Sequence, residues 1–576
     1  MSSLIRACVQ QLNPYAYIPG NAEIAKKYDL KLQDVVRFDR NTPPTVLPSV
    51  KKELKQIARE GGQGTINEYP DPKYSELSSL LASYLGVAAP QLLLGNGADE
   101  IIDMLVKAFV EPGDTVVIPT PTFSFYEVTV ASFGGKSVNF NRNIMDFSID
   151  IGKLVAFANS QNAKMIFLCN PNSPAPAFTS LDDLERIAKE FRGVLVIDEA
   201  YIAFSGQKSA ASICSKYENV IVIGTLSKSF ALAGQRVGYA VCSTAVATEL
   251  NKIRQPYNLD GITERLAIAA LKNGMSEMCE NVRRIISERE RLSAAFAKLG
   301  FKVYPSFTNF ILLGTTTNDA SIVYEKLIRK GLVVRKMHDG LRITVRSKKD
   351  NSRLLNELAK ISDGIIFDID GVLVDVSQSY REAIRQTAEA ITGKKFTAAD
   401  VATVKKLPDS NNDWEVTYAL IKGITSGNEM KKIDRNSSSY LAAKQKFQEL
   451  YLGGLRDKEK LLITTKTLTK LKTQNYKLGI VTSRPREEAL YVLRDLIPFF
   501  PEDCIIAQED CEEEKPSPKP LLLAKERMGC RAALYIGDSI NDQLAAKAAK
   551  MRFASVVKGL KADVEIDDVN KIIEVI

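Results

Sequence analysis

Histidine is almost absent from this sequence of 576 residues: His338 is the only one. A mechanism that needs two imidazoles from one chain is therefore excluded, and with it any metal centre built on several histidines. His338 itself reads as a loop residue. The eight cysteines, from Cys8 to Cys530, form no CxxC pair or cluster, so reduced thiols are expected rather than disulfides or zinc ligands. No stretch approaches about 18 uninterrupted apolar residues, and the opening MSSLIRACVQQLNPY lacks the apolar run of a secretory signal. No membrane partner and a cytoplasmic location are expected. Basic runs with interleaved aromatics are also missing, and the net charge of +8 is small beside 77 basic and 69 acidic residues. Nucleic acid is not an expected partner, although a mild positive bias suits phosphorylated substrates.

What is present is strand–helix alternation, in two blocks. At 576 residues the chain exceeds the roughly 250 to 300 at which one core stops growing, so at least two domains are expected. Apolar runs VVIP at Val116, MIFLCN at Met165, VLVIDEA at Val194 and NVIVIGT at Asn219 are separated by amphipathic segments. That pattern predicts an α/β fold with a largely parallel sheet covered on both faces. The style returns with IIFDID at Ile365, KLGIVTS at Lys477, CIIAQE at Cys504 and AALYIGDS at Ala532. The expected domains are residues 1–360 and 361–576. A polar, helix-like insertion without such strands spans about 376–470.

In the first block, Lys228 sits in GTLSKSFALAGQRVGY, and Asp198 and Tyr201 close the strand of VIDEAY. A lysine, a carboxylate, a phenol, hydroxyls and a cation are the groups a pyridoxal cofactor needs: a Schiff-base amine, a partner for the ring nitrogen, a donor to the 3′ oxygen and a phosphate cradle. LLLGNGADEII places Gly97, Ala98 and Asp99 at a helix start, where free N–H groups bind anions. An ordinary strand-to-helix turn would look the same.

Residues 10 to about 350 resemble a fold-type I aminotransferase of the histidinol-phosphate aminotransferase family. The resemblance is carried by QLNPYAYIPG, INEYPDP, GNGADEII, PTPTFSFY, NPNSP, IDEAY, TLSKSFALAGQRVGY and LRITV, in that order. It implies pyridoxal 5′-phosphate held by Lys228, with Asp198 at the ring nitrogen, Tyr201 at the 3′ oxygen and Phe123 stacked on the ring. It further implies Gly97, Ala98, Asp99, Thr225, Ser227 and Arg236 around the phosphate, and Tyr69 reaching it from the other subunit of a homodimer. Arg342 would grip the substrate's anionic end, with Tyr15 closing over it. The chain departs from the pattern at Asn170-Pro171-Asn172-Ser173-Pro174-Ala175-Pro176. Asn172 is the expected amide partner of the 3′ oxygen, and Ser173 occupies a position that is often asparagine.

In the second block, IIFDIDGVL puts Asp368 and Asp370 on one side of an extended chain end. Adjacent carboxylates repel unless they share a cation or proton, which fits Mg²⁺; a calcium loop or a solvated turn is the plain alternative. Thr482 after KLGIV, Lys515 in EEKPSPKP, and Asp538 and Asp542 in YIGDSINDQ complete an ordered set. The set resembles the haloacid-dehalogenase superfamily, with a Rossmann-like core and a helical cap. The resemblance implies that Asp368 attacks phosphorus, that Asp370 protonates the leaving alcohol, and that Thr482 and Lys515 hold the phosphoryl oxygens. Asp368, the Asp370 carbonyl and Asp538 would ligate magnesium with Asp542 in support. Trp414, the only tryptophan, falls in the insertion and reads first as a packing residue.

Joined, the two resemblances imply a bifunctional enzyme of histidine biosynthesis. It would convert imidazole-acetol phosphate and glutamate to histidinol phosphate and 2-oxoglutarate, then hydrolyse the histidinol phosphate. The alternative is an aminotransferase for aromatic or other amino acids, fused to a phosphatase of unrelated or broad small-phosphate specificity.

Overall fold

A computed structural model describes residues 4–12, 18–314, 317–338, 340–407, 410 and 412–576. The chain divides into two compact units, Met1–Asn356 and Glu357–Ile576.

The core of the first unit is a seven-stranded sheet. In spatial order its strands are Leu92–Asn96, Val237–Val241, Val220–Thr225, Val194–Asp198, Met165–Cys169, Thr115–Thr120 and Lys136–Asn141. All pairings are parallel except those of Val237–Val241, which runs against both neighbours. The central strands are apolar along most of their length and buried at nearly every position, the signature of a sheet covered on both faces. Helix Gly97–Phe109 turns Ile101, Ile102, Leu105 and Val106 onto that sheet, each such side chain contributing about 1.5–3 kcal/mol of burial. Register sets Cys169 beside Asp198, so the carboxyl ends of adjacent strands open at one edge, where ligands of open α/β sheets bind. A second, antiparallel sheet orders Arg335–Met337, Gly340–Thr344, Phe310–Gly314 and Lys302–Val303. His338 lies in the exposed turn between the first two of these.

The second unit centres on six parallel strands in the order Ile505–Ile506, Lys477–Val481, Gly364–Phe367, Ala533–Gly537, Arg552–Ser555 and Val564–Glu565. Between the first and second of these in chain order comes a helical cap. Its stem is a short antiparallel pair, Val374–Asp375 with Lys460–Leu461. Helices Tyr380–Thr392, Ala398–Lys405, Asp413–Lys422 and Ser438–Leu450 lie between the stem strands and pack through Ala383, Ile384, Val416, Ala419 and Phe447. The stem closes at Leu461, ahead of the expected end near 470, because Thr464 caps a further helix, Thr465–Thr473, that buries Leu468 and Leu471.

Candidate active sites

In the first unit a cavity of about 530 Å³ opens at the carboxyl ends of the sheet. Among the residues lining it are Ala98, Asp99, Phe123, Asp198, Tyr201, Thr225, Ser227, Lys228, Arg236 and Arg342, all anticipated from the sequence. Asp198 ends its strand and is held from behind on both oxygens. The Tyr126 hydroxyl donates to Oδ2 at 2.6 Å and the Ala200 N–H to Oδ1 at 3.0 Å. Burial pushes its carboxyl above the ordinary range despite those two hydrogen bonds. Lys228 Nζ lies 5.7 Å from the centroid of the Tyr201 ring.

The anion cradle is built by close backbone approach. Gly97 has φ +75, and a Cβ there would fall 2.4 Å from the Arg236 guanidinium; a Cβ on Gly238 would fall 2.4 Å from the Ala98 nitrogen. The Gly97 N–H itself is spent on the Arg236 carbonyl at 2.5 Å, so the helix offers its next amides instead. Arg236 has φ +54, a left-handed conformation that costs roughly 1–3 kcal/mol in a non-glycine residue. It aims the guanidinium at the helix start, where it pairs with Asp99 at 2.6 Å. The hydroxyls of Thr225 and Ser227 are 2.8 Å apart.

Three expectations fare differently. Asn172 is fully buried, and its amide nitrogen is used up by the carbonyls of Pro121 at 3.0 Å and Ala175 at 2.8 Å, while its Oδ1 accepts from Thr122 at 2.7 Å. With both N–H groups spent on the backbone, it has none to offer the cavity, and the expected role is corrected. Tyr69 is 78% exposed and stacks on Tyr257 at 4.4 Å; it does not line the cavity of its own chain. Tyr15 lies outside the described residues.

Sequence reasoning passed over Asn41, Arg335 and Tyr126. The Asn41 amide donates to the Tyr201 hydroxyl at 3.0 Å, which steadies the phenol expected at the 3′ oxygen. Arg335 is directly opposite Arg342 across the antiparallel pair, and both line the cavity. Its signal was a strand-like VVRKM ahead of LRITV. Arg342 is oriented by the Ser173 hydroxyl at 3.2 Å and the Asp39 carbonyl at 2.7 Å.

In the second unit Asp368, Thr482 and Asp538 follow the neighbouring strands Gly364–Phe367, Lys477–Val481 and Ala533–Gly537. Carboxylate oxygens of Asp368, Asp538 and Asp542 come within 4.8 Å of one another. Burial, opposed by Lys515 and reinforced by Asp542, Asp370 and Asp538, pushes the Asp368 carboxyl well above its ordinary range. Burial and Asp542 push Asp538 up to about 7. Crowded oxygen donors of this kind suit a hard divalent cation. Gly371 has φ +73, and a Cβ there would fall 2.2 Å from Asp538 Oδ2. Lys515 is buried between Asp368 at 3.0 Å and Asp542 at 2.7 Å. Asp542 is saturated. Oδ1 also accepts from Tyr535 at 2.6 Å, and Oδ2 from the Ser539 N–H at 3.0 Å and hydroxyl at 2.6 Å; this suits a supporting part rather than direct ligation.

The Asp370 carboxylate turns away from that cluster. Oδ1 accepts from Arg484 Nε at 2.9 Å and from a terminal nitrogen at 2.6 Å. Burial would raise its pKa, but the Arg484 charge and hydrogen bonds, with Lys405 and Lys515 behind them, hold it below the usual carboxylate range. Arg484 is also paired with the buried Glu459 at 3.0 Å. Neither was anticipated, although Arg484 stands two residues after Thr482.

Known proteins agree with both halves. Residues 33–358 match the family model "Aminotransferase class I and II", and residues 365–556 match "Haloacid dehalogenase-like hydrolase". The chain belongs to the class I and II aminotransferases. Its C-terminal unit is a haloacid dehalogenase-like hydrolase domain. Among relatives, the histidinol-phosphate aminotransferase of Thermoanaerobacter pseudethanolicus is 37% identical over 333 residues, covering 56% of this chain and 92% of the relative. That of Flavobacterium johnsoniae is 33% identical over 370 residues, covering 62% and 97%. A histidinol-phosphate aminotransferase from Sinorhizobium meliloti, solved with pyridoxal-5′-phosphate, shares the fold with a TM-score of 0.57 at 24% identity, over 62% of this chain and 97% of that one. The fold-type I aminotransferase and haloacid dehalogenase architectures expected from the motifs are those found. Among the described residues no helix is long and apolar enough to cross a membrane.

Proposed function

We propose that the chain performs two reactions on one phosphorylated skeleton: amino transfer from glutamate to imidazole-acetol phosphate, then hydrolysis of the resulting histidinol phosphate. The observation that carries the first is the pair Arg335 and Arg342, opposed across two strands and facing the same cavity as Lys228. Two planar forks suit a phosphate at one substrate end and a carboxylate in the other half-reaction. The curated relatives of Thermoanaerobacter and Flavobacterium carry that activity in their names.

Pyridoxal 5′-phosphate would supply the electron sink for amino transfer. Asp198 would hold the proton of its ring nitrogen, and Tyr201, steadied by Asn41, would donate to its 3′ oxygen. Phe123 would cover one ring face. The amides of Ala98 and Asp99, the hydroxyls of Thr225 and Ser227, and Arg236 would hold its phosphate. Lys228 Nζ would anchor the cofactor, then take and return the proton at the substrate's α-carbon. Tyr69 would serve the cavity of a second subunit in a homodimer.

In the hydrolase domain Asp368 Oδ attacks phosphorus while the phosphorus–oxygen ester bond breaks. Asp370 gives its proton to the departing alkoxide, so histidinol leaves and the phosphoryl group stays on Asp368. Asp370 then takes a proton from water, whose oxygen attacks phosphorus; inorganic phosphate leaves and Asp368 is restored. Lys515 and Thr482 hold the phosphoryl oxygens. Mg²⁺ would be held by Asp368, the Asp370 carbonyl and Asp538, and would offset charge on those oxygens. Arg484 fixes Asp370 as a carboxylate, so before the ester bond breaks Asp370 must leave Arg484 and take up a proton from water.

A coupled assay tests the reading. Given imidazole-acetol phosphate, glutamate and magnesium, the purified chain should yield 2-oxoglutarate, histidinol and inorganic phosphate. Accumulation of histidinol phosphate without phosphate release overturns the second step. Absence of 2-oxoglutarate overturns the first.

A further inference from the structure

Arg484 carries five N–H donors, and the fold uses all of them. Nε and one terminal nitrogen donate to Asp370 Oδ1 at 2.9 and 2.6 Å. The same terminal nitrogen reaches Glu459 Oε1 at 3.1 Å, and the other donates to Glu459 Oε2 at 3.0 Å and to the Tyr451 hydroxyl at 3.4 Å. One guanidinium is thus forked between two carboxylates from different parts of the domain. Asp370 comes just after the core strand Gly364–Phe367, whereas Glu459 immediately precedes Lys460–Leu461, the second stem strand of the cap. The Ser379 hydroxyl, beyond the first stem strand, donates to Glu459 Oε1 at 2.9 Å.

Exposure decides which of the three can move. The side chains of Arg484 and Glu459 are each 1% exposed, and that of Asp370 is 29% exposed. Asp370 can therefore turn into the site, while the other two cannot follow it. Once it has left, Arg484 still holds a carboxylate through two hydrogen bonds and keeps the Tyr451 hydroxyl. Without Glu459 the same movement would strand a buried guanidinium, which is strongly unfavourable at low dielectric. The carboxylates nearby do not replace it. Asp413 is paired with Lys405, Asp368 and Asp542 share Lys515, and Glu488 is held by the Tyr380 hydroxyl and by Gln448 at 3.0 Å.

We propose that Glu459 is a positioning residue for the phosphatase step: by keeping Arg484 paired, it releases Asp370 to turn to the leaving oxygen. The inference rests on the reading of Asp370 as the proton donor and extends that reading to the stem of the cap. Arg484 is then the clamp that parks Asp370 between turnovers, and Glu459 sets how firmly it grips. A charge-assisted pair of this kind is strong enough that its grip governs how readily the acid reaches the ester.

The test uses the full-length chain and two esters that differ in their need for a proton. Histidinol phosphate releases an alkoxide that must be protonated, whereas p-nitrophenyl phosphate releases a phenolate that leaves unaided. kcat/KM measures the barrier from free enzyme and ester to departure of the leaving group, so the later hydrolysis of the aspartyl-phosphate does not enter the comparison. Glu459→Gln should lower kcat/KM for histidinol phosphate at least tenfold more than for the aryl ester. Adding Arg484→Met removes the clamp itself and should bring the ratio of the two esters back to within threefold of the wild type. Glu459→Asp keeps the charge but withdraws it by one methylene. It should show the same bias, at least threefold, and carries the comparison if Glu459→Gln does not fold. Equal losses on both esters, or no loss on either, would make Glu459 an ordinary ion pair of the stem and overturn the inference. If the wild type hydrolyses the aryl ester but not histidinol phosphate, the substrate assignment fails alone, and glycerol 3-phosphate takes its place in the comparison. Hydrolysis of no ester removes the phosphatase reading and the inference together.

Discussion

The Tyr126 hydroxyl donates to Asp198 Oδ2 at 2.6 Å from a fully buried ring, stacked on Phe167 at 4.8 Å. Asp198 therefore enters the cavity with its orientation fixed from behind, and its elevated pKa makes a protonated ring nitrogen a favourable partner. Tyr126→Phe removes the donor and keeps the packing. A buried carboxylate oxygen left without its partner costs roughly 1–3 kcal/mol, so the variant's aminotransferase unit should unfold at lower denaturant. Pyridoxal 5′-phosphate affinity should fall about tenfold. Equilibrium dialysis and a urea titration measure the two effects; unchanged values in both would remove Tyr126 from the site.

Arg335 and Arg342 should separate by half-reaction. Arg342 is held by Ser173 and Asp39 and would meet the anionic end of either substrate. Arg335 adds a second guanidinium suited to the doubly charged phosphate. Arg342→Ala should raise KM at least tenfold for both glutamate and histidinol phosphate. Arg335→Ala should do so at least tenfold more for histidinol phosphate, a difference of about 1.4 kcal/mol. Single-turnover kinetics with each amino donor would show it, and equal effects would contradict the assignment.

The residues gathered at both sites were legible where they lie in short strings at strand ends. Asp198, Lys228, Asp368 and Asp538 each follow a buried apolar run, so local pattern put them at the carboxyl edge of a sheet, while the roles expected of them came from the resemblance of their motifs. What was not legible is whatever the fold brings from a distance. Asn41 reaches Tyr201 from 160 positions away, and Glu459 reaches Arg484 across 25. Asn172 shows the opposite failure. Its residue type and motif were right for a cavity amide, but the turn folds that amide back on Pro121 and Ala175. Arg335 was hidden by ordinariness, as one basic residue in a strand whose partner register the sequence does not state. The cap's last boundary was missed because Thr465–Thr473 has the same polar, helical composition as the cap helices before it.

The two catalytic units should be separable by one substitution. Asp368→Asn removes the attacking oxygen while preserving shape and hydrogen bonding to Lys515. Phosphate release should fall by at least 10³-fold, in the range typical when a covalent nucleophile is removed. Glutamate-dependent amino transfer and the cofactor's visible absorption should be unchanged. Retained phosphate release would displace Asp368 from its role.

Gly371→Ala tests the metal geometry without touching a carboxylate. With φ +73 and a Cβ that would fall 2.2 Å from Asp538 Oδ2, alanine strains the backbone and pushes Asp538 away from Asp368. The strain is about 1–3 kcal/mol. Magnesium required for half-maximal phosphatase activity should rise at least tenfold, read by titrating the ion at saturating substrate. Isothermal titration of magnesium should weaken in parallel.

Glu199, next to Asp198, gives the first unit a pH dependence that substitution should erase. It is buried and accepts from the Ala210 N–H at 2.7 Å and from the Ser209 hydroxyl. Burial outweighs those hydrogen bonds and raises its pKa from 4.5 to about 7. Between these values the folded chain binds more protons at this site than the unfolded chain, so stability falls as pH rises through the window. The cost is absent below about pH 4.5 and reaches about 3 kcal/mol above about pH 7. Glu199→Gln keeps an oxygen for Ala210 and carries no charge. Amide exchange of the Val194–Asp198 strand should then slow in the variant relative to the wild type, with a difference that grows from pH 5 to pH 7.5 after correction for intrinsic exchange. Parallel profiles across that range would mean that Glu199 is charged in both states and that its burial is compensated elsewhere.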